Sequence, residues 1–359
     1  MKDFANRHKK LVSFILFFLY VGCILLCAQE IPKKYVAHQT QETLEIDGKA
    51  DELSWKKAPW SNLFIDIEGD KKPTYDTRMK MLWDQQHIYF YAELKEPHVW
   101  GNLKQRDTII FYNNDFEIFI DPDGDTHNYY EYEMNALNTF WDLYLSKPYR
   151  NHGKVLGDWD FKGLKSAVHV KGTLNDPSDI DEGWSLEVAI PWSFYTDPGR
   201  KTVVPENEFW RINFSRVNWD FDIKNGMYSR KKDPKTGKFM HEYNWVWSPQ
   251  YVINMHEPEH WGYVYFASEP AGDKSVDFDI PKDDHVKWYL YEQYRKLIKD
   301  GHWMKTDSKI TSEPKQILGK SVTPVLEKYT HGFMLWAKSP FTGDTLTISS
   351  DGRFQAYKK

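Results

Sequence analysis

The sequence predicts an all-β protein: an antiparallel β-sandwich carrying a C-terminal helix and β-hairpin appendage. Two observations predict the sandwich. From about residue 34 to residue 266, short runs alternate apolar and polar residues and are separated by Gly, Pro, Asn and Asp turns. Aromatic residues make up 16% of the chain, with 16 Trp, 22 Tyr and 21 Phe, and aromatics favour strands. The appendage is predicted by a change of pattern after Phe266, where one stretch takes a helical period. At 359 residues the chain is long enough to bury a full core without disulfides.

The elements follow in order. A short helix is expected near Ala50–Lys57. TRMKMLW (77–83) and HIYFYAEL (87–94), joined by Asp84-Gln85-Gln86, read as a hairpin. FEIFIDP (116–122) sets Phe116, Ile118 and Ile120 against Glu117, Phe119 and Asp121. YYEYEMNA (129–136) sets Tyr130, Tyr132 and Met134 against Glu131, Glu133 and Asn135. WSLEVAIPW (184–192) and FWRINFSRV (209–217) alternate in the same way. The sandwich is assigned to 29–267 and a linker to 268–282. Residues 283–359 then form the extension. Its helix spans 283–301, with Asp283 or Asp284 to cap it and Gly301 to end it. Val286, Tyr289, Leu290, Tyr294, Leu297 and Ile298 make its apolar stripe. Runs 333–339 and 344–350 flank a turn and close the hairpin.

The amino terminus reads as a targeting segment. Lys2, Arg7, Lys9 and Lys10 precede an uncharged apolar stretch, 11–28. This predicts a signal peptide, 1–28, on an exported protein: periplasmic, secreted, or an outer-membrane lipoprotein of a bacterium. Cleavage after Ala28 is one route. Cys23, in LYVGC, resembles a bacterial lipoprotein box, and an uncleaved anchor is a third route, since 18 apolar residues nearly span a bilayer. Both cysteines, Cys23 and Cys27, lie in this segment. Cleavage after Ala28 would leave no disulfide, no thiolate metal site and no thiol nucleophile.

The 47 basic and 52 acidic residues give a formal net charge of −5. That excludes binding to nucleic acid through bulk positive charge. No G-x-S-x-G, P-loop or G-x-G-x-x-G motif occurs. His256 and His260 are four apart, but Pro258 between them argues against a helical zinc pair.

Three patterns carry candidate chemistry. Asp121, Asp123 and Asp125 alternate around Gly124, as a calcium loop requires, or simply form an Asp-rich turn. Asp115 and Glu117, with Glu131, Glu133 and Asn135, place acids on one face of two neighbouring strands. They suit glycosidase chemistry, sugar-hydroxyl acceptors, or a solvated sheet face. Trp245 and Trp247 lie two apart in NWVWSPQ, either as core or as a platform for a pyranose ring, with the Asn244 amide beside them.

The order of these motifs resembles the family 9 carbohydrate-binding modules, in the wider DOMON-like superfamily. The resemblance is carried by LEIDGKADELSWKKA (44–58), MKMLWDQQHIYFYAEL (79–94), DFEIFIDPDGDTHNYYEYEMNALNTFWDL (115–143), GWSLEVAIPW (183–192), WRINFSRV (210–217) and HEPEHWGYVYF (256–266). It implies a sandwich that binds the ends of sugar chains, often with structural calcium. By position it implies Trp247 as the downstream stacking aromatic, with Asn244, Glu117 and Asn135 as polar contacts. Phe111 and Tyr112 stand where the upstream aromatic belongs, in place of Trp, and Trp100 and Arg106 in the preceding loop can substitute. Glu133 stands where the family can carry Arg. Calcium is then the cofactor to expect at Asp121, Asp123 and Asp125.

The expected function is a non-catalytic, exported protein that captures an oligo- or polysaccharide for glycan catabolism, beside a glycoside hydrolase or uptake system. A glycoside hydrolase using paired carboxylates on adjacent strands is the alternative. A haem-binding electron-transfer domain, with Met81 and His256 as ligands, is the second.

Overall fold

A computed structural model describes residues 31–195, 203–272, 275–305, 309–311 and 313–359. The expected signal peptide, with Cys23, Cys27 and Ala28, lies outside the described residues. The sandwich region comprises β1 (Lys34–Gln39), helix α1 (Leu53–Lys57), β2 (Ile65–Asp66), β3 (Thr77–Trp83), β4 (His87–Lys95), β5 (Asp115–Asp121), β6 (Tyr129–Asn135), β7 (Phe140–Leu145) and β8 (Val155–Leu156). It continues with β9 (Lys165–Lys171), β10 (Gly183–Pro191), β11 (Phe209–Asn218), β12 (Phe221–Lys224), β13 (Met227–Arg230), β14 (Tyr243–Val246) and β15 (Gly262–Pro270).

Among the described residues, thirteen strands hydrogen-bond in the order β8-β7-β6-β5-β11-β15-β1-β3-β4-β10-β9, with β14 beside β11 and β2 beside β14. The sheet folds back on itself at β11. That strand pairs with β15 through Phe209–Ile212 and with β14 through Ser215–Asn218 along the same edge, while β5 follows its other edge. The two halves close on one core. Phe116, Ile118, Tyr132 and Met134 from β5 and β6 share it with Met79, Met81, Phe90, Leu186 and Val188 from β3, β4 and β10. Phe214 bridges the layers, 5.9 Å from Phe90 and 6.0 Å from Phe116 between ring centroids. The expected alternation therefore sends the named apolar residues inward. One strand departs from the antiparallel pattern: β1 runs parallel to both β15 and β3.

The β3–β4 hairpin turns where expected, because the Asp84 carboxylate accepts the amide N–H of Gln86 and of His87. The expected linker is shorter than its sequence suggested, since β15 continues to Pro270 and Phe278 stacks on Tyr265 at 5.1 Å.

The extension holds helix α2 (Lys282–Ile298), then β16 (Lys309–Thr311), β17 (Lys315–Ile317), β18 (Lys320–Val322), β19 (Val325–Tyr329), β20 (Gly332–Lys338), β21 (Thr345–Ser349) and β22 (Phe354–Tyr357). The hairpin β20–β21 forms as expected but is the centre of a five-stranded sheet, β16-β19-β20-β21-β22. Val286, Tyr289, Leu290 and Tyr294 of α2 pack on its face. The expected aspartate caps do other work. Asp283 accepts hydrogen bonds from the hydroxyls of Ser339 and Thr342, and Asp284 accepts one from Tyr263. Helix α2 starts directly after Pro281, whose fixed φ suits a helix start, and ends at Ile298, before Gly301. Sandwich and extension together form one compact unit, Lys33–Lys359.

Candidate functional site

The alternation that fills the core turns Asp115, Glu117, Phe119, Glu131 and Glu133 to the opposite face of β5 and β6. That face is covered rather than solvated. The turn at Ile110–Tyr112, the turn at Tyr149–Asn151 and the segment around Ile253–His256 rise around it. Strand register aligns two rows across three strands. Glu117 lies opposite Glu133, which lies opposite Trp141; Phe119 lies opposite Glu131, which lies opposite Leu143. Above them opens a cleft of about 380 Å³. Glu117, Glu131 and Glu133 line its floor, and Phe111, Trp141 and Tyr149 contribute aromatic surface. Asn244, Glu242 and His256 complete its polar lining, with Arg150 as a cation at its edge.

The floor is strongly acidic. Asp115, Glu117, Glu131 and Glu133 are all buried. Burial, then the neighbouring Glu117 and Glu133 charges, holds the Asp115 carboxyl well above the usual range. Burial pushes Glu117 up to about 7. Burial and the adjacent carboxylates raise Glu131 and Glu133 well above ordinary glutamate values. The Glu133 carboxylate accepts the Phe111 amide at 3.2 Å, and Asp115 Oδ1 accepts the Val217 amide at 3.3 Å. Burial drops the His256 imidazole to about 3, so it is neutral. Its Nδ1 shares a 2.7 Å hydrogen bond with the Tyr129 hydroxyl. The Trp141 indole is fixed by its N–H to the Gly157 carbonyl at 3.0 Å.

Of the expected contact residues, Glu117, Asn244 and Phe111 line this cleft. The others have structural positions. Trp247 is 1% exposed and packs against Tyr35 and Phe214, so it offers a ligand no face; Trp245 is likewise core. Trp100 is buried and stacks on Tyr228 at 6.2 Å. Asn135 is buried, accepting the amides of Leu137 and Thr139 and shaping the turn after β6. Arg106 pairs with Asp142 and Asp160 over the Phe140 ring. Tyr112 turns away to the Arg230 guanidinium. Met81 lies in the core between the layers while His256 faces the cleft, so the pair does not converge on a haem.

A family model described as carbohydrate family 9 binding domain-like matches residues 46–244, more than half of the chain. The chain belongs to this family. An exoglucanase, XynX of Acetivibrio thermocellus, is 26% identical over 254 residues, 70% of this chain and 19% of that enzyme. Endo-1,4-beta-xylanase A of Thermoanaerobacterium saccharolyticum is 25% identical over 159 residues, 44% of this chain and 12% of the enzyme. The chain thus spans less than a fifth of either enzyme's length. Two solved structures are similar to it, both a family 9 carbohydrate binding module from Caldicellulosiruptor kristjanssonii, one with cellotriose and one with glucose. Each is 14% identical and covers 69% of this chain and 100% of its own, with TM-scores of 0.43 and 0.42.

Within this family 9-like domain, sequence reasoning missed Trp141, Tyr149 and Glu242. Trp141 had a legible signal: in FWDLYL, Trp141, Leu143 and Leu145 are large apolar residues spaced two apart on the strand after the acidic one. Tyr149 and Glu242 come from loops, which carry no periodic signal.

The Asp121–Asp123–Asp125 loop brings one carboxylate oxygen of each residue within 4.8 Å of the others. Its carboxylates are engaged. Asp121 accepts the amides of Gly124 and Thr126, Asp123 that of Asp125, and Asp125 that of His127. Arg353 Nε reaches Asp125 at 2.7 Å, and the buried Lys287 ammonium donates to the Gly124 carbonyl. With two of the chain's own cations beside it, the loop does not fit a calcium ion as well as it fits a carboxylate-capped turn.

Proposed function

We propose that this family 9-like chain is an exported, non-catalytic module that binds a saccharide in the cleft over β5, β6 and β7. One observation carries the reading: an open cleft of about 380 Å³ joins ring surface from Phe111, Trp141 and Tyr149 to a floor of acceptors. Ring surface suits the apolar face of a pyranose, and carboxylates and an amide suit its hydroxyls. Trp141 takes the stacking role first expected of Trp247. The names of the relatives make glucan and β-1,4-linked xylan oligosaccharides the first panel to test. Export rests on the basic and apolar segments of residues 1–28.

Calorimetric titration of the purified protein with that panel tests the reading. Saturable binding that Trp141→Ala weakens at least about tenfold, or about 1.4 kcal/mol, supports it. A folded protein that binds none of the panel refutes it. New reducing ends in the titrated sample would favour the glycosidase reading, for which Glu117 and Glu133 stand opposite on adjacent strands. Mass measurement of the mature amino terminus tests export and cleavage.

A further inference from the structure

One end of the cleft floor gathers more carboxyl groups than a neutral sugar requires. Oxygens of Asp115, Glu117 and Glu133 lie within 4.8 Å of one another. All three side chains are at most 5% exposed. Among the described residues, no Lys, Arg or His forms an ion pair with any of them. An independent feature points to a ligand there. Asp115 Oδ2 is fully buried and has no hydrogen-bond partner, although its sister oxygen is satisfied by Val217. A buried carboxylate oxygen left unpaired is costly, and three buried carboxylates without a counter-charge are more so. Oxygens this close can share one cation, and an all-carboxylate set with room for further oxygen ligands suits the flexible oxygen shell of calcium.

We propose that Asp115, Glu117 and Glu133 bind a calcium ion whose open side faces the cleft and coordinates hydroxyls of the bound saccharide. Glu117 and Glu133 line the cleft, whereas Asp115 is fully buried and is not part of its lining. Calcium takes six to eight oxygens, so vicinal hydroxyls or water can complete its shell. The hydroxyl contact rests on the saccharide reading; the ion site does not.

Chelator-treated protein is titrated with calcium by calorimetry, and with terbium by luminescence sensitised by the protein's aromatic residues. One saturable site is expected, weakened at least about tenfold by Asp115→Asn and by Glu133→Gln. Asp123→Asn, in the separate acidic loop, is expected to leave it unchanged. Both site substitutions relieve repulsion, so the variants are expected to fold, and thermal melting checks this. No calcium binding by the folded protein overturns the proposal, as does binding that responds only to Asp123→Asn. Saccharide titrations are run in calcium and in chelator. Binding that is lost in chelator and restored by calcium supports the bridging contact. Binding equally strong in both overturns that contact while leaving the saccharide reading intact.

Discussion

Glu187, on β10, accepts the indole N–H of Trp55 at 2.9 Å. The same carboxylate accepts the amides of Asp47 at 3.1 Å and Gly48 at 3.3 Å. Asp47, Gly48 and Trp55 belong to the stretch that opens the family resemblance. They act as a clasp that ties this stretch to the sheet and are remote in role from the cleft. Gly48 is fixed at φ +83°, and a Cβ there would meet the His169 backbone nitrogen at 2.7 Å.

Replacing Glu187 with Ala strands three donors, and each buried unsatisfied donor costs about 1–3 kcal/mol, not additively. A loss of at least about 2 kcal/mol in urea unfolding is expected, with Glu187→Gln losing less because it keeps an acceptor.

The same residue shapes the pH dependence of stability. Burial raises the Glu187 carboxyl from 4.5 to about 7. Between those values the unfolded chain has released its proton and the folded chain still holds it, so stability falls as pH rises through the interval. The contribution is complete below the lower value. Glu187→Gln cannot titrate and is expected to flatten this slope relative to the parent chain in unfolding curves taken across the interval. An unchanged slope would show that the group does not titrate there.

Trp247 and Trp141 are expected to exchange the consequences that sequence alone assigns. Trp247→Ala opens a core cavity and is expected to cost about 3–5 kcal/mol. Gly262→Ala places a Cβ 2.1 Å from the Trp247 ring and is expected to cost about 1–3 kcal/mol by overpacking. Neither is expected to change saccharide affinity once folded fractions are matched, whereas Trp141→Ala is expected to do the reverse. Chemical unfolding beside calorimetry separates the two effects.

Arg216 on β11 is buried and reaches Glu96 at 2.5 Å, the Thr77 hydroxyl at 3.1 Å and the Lys95 carbonyl at 3.0 Å. It ties the β11 side of the sandwich to the ends of β3 and β4. Removing one partner leaves a buried charge, so Arg216→Ala is expected to cost about 3–5 kcal/mol. Arg216→Lys is expected to recover little, because an ammonium cannot reproduce the planar fork of bonds. Equilibrium unfolding of both variants checks this, and full recovery by Lys would count against the fork.

The extension is expected to stabilise the sandwich through Lys287. Its ammonium is buried at the Gly124 carbonyl, beside the acidic loop. Lys287→Met removes the one buried cation supplied to that loop by α2 and is expected to lower stability by about 1–3 kcal/mol. Added calcium is expected not to restore it, which thermal melts with and without the metal would decide.

The legible parts of this fold are those set by local patterns. Alternation placed Phe116, Ile118 and Ile120 in the core, and Asp84 marked its hairpin, because side-chain direction in a strand has period two and a turn is a short-range event. The helix stripe from Val286 to Tyr294 was readable for the same reason at a period of 3.6. The candidate site was half legible. Glu117, Glu131 and Glu133 were recognisable as one face, but nothing local indicated that loops around Tyr149 and His256 would cover it.

By itself, then, the sequence determined the alternating strands at 77–83, 87–94, 116–122, 129–136, 184–192 and 209–217, the faces they present and the family to which the chain belongs. Only the tertiary structure decided which tryptophan is core and which borders the cleft. Trp247 and Trp141 each sit on an alternating extended run, and the difference lies in what the fold brings opposite: Gly262, Phe214 and Tyr35 close over Trp247, while the row Glu117–Glu133–Trp141 faces a cleft. Burial is a property of partners distant in sequence, and a period-two pattern names a face without saying what covers it.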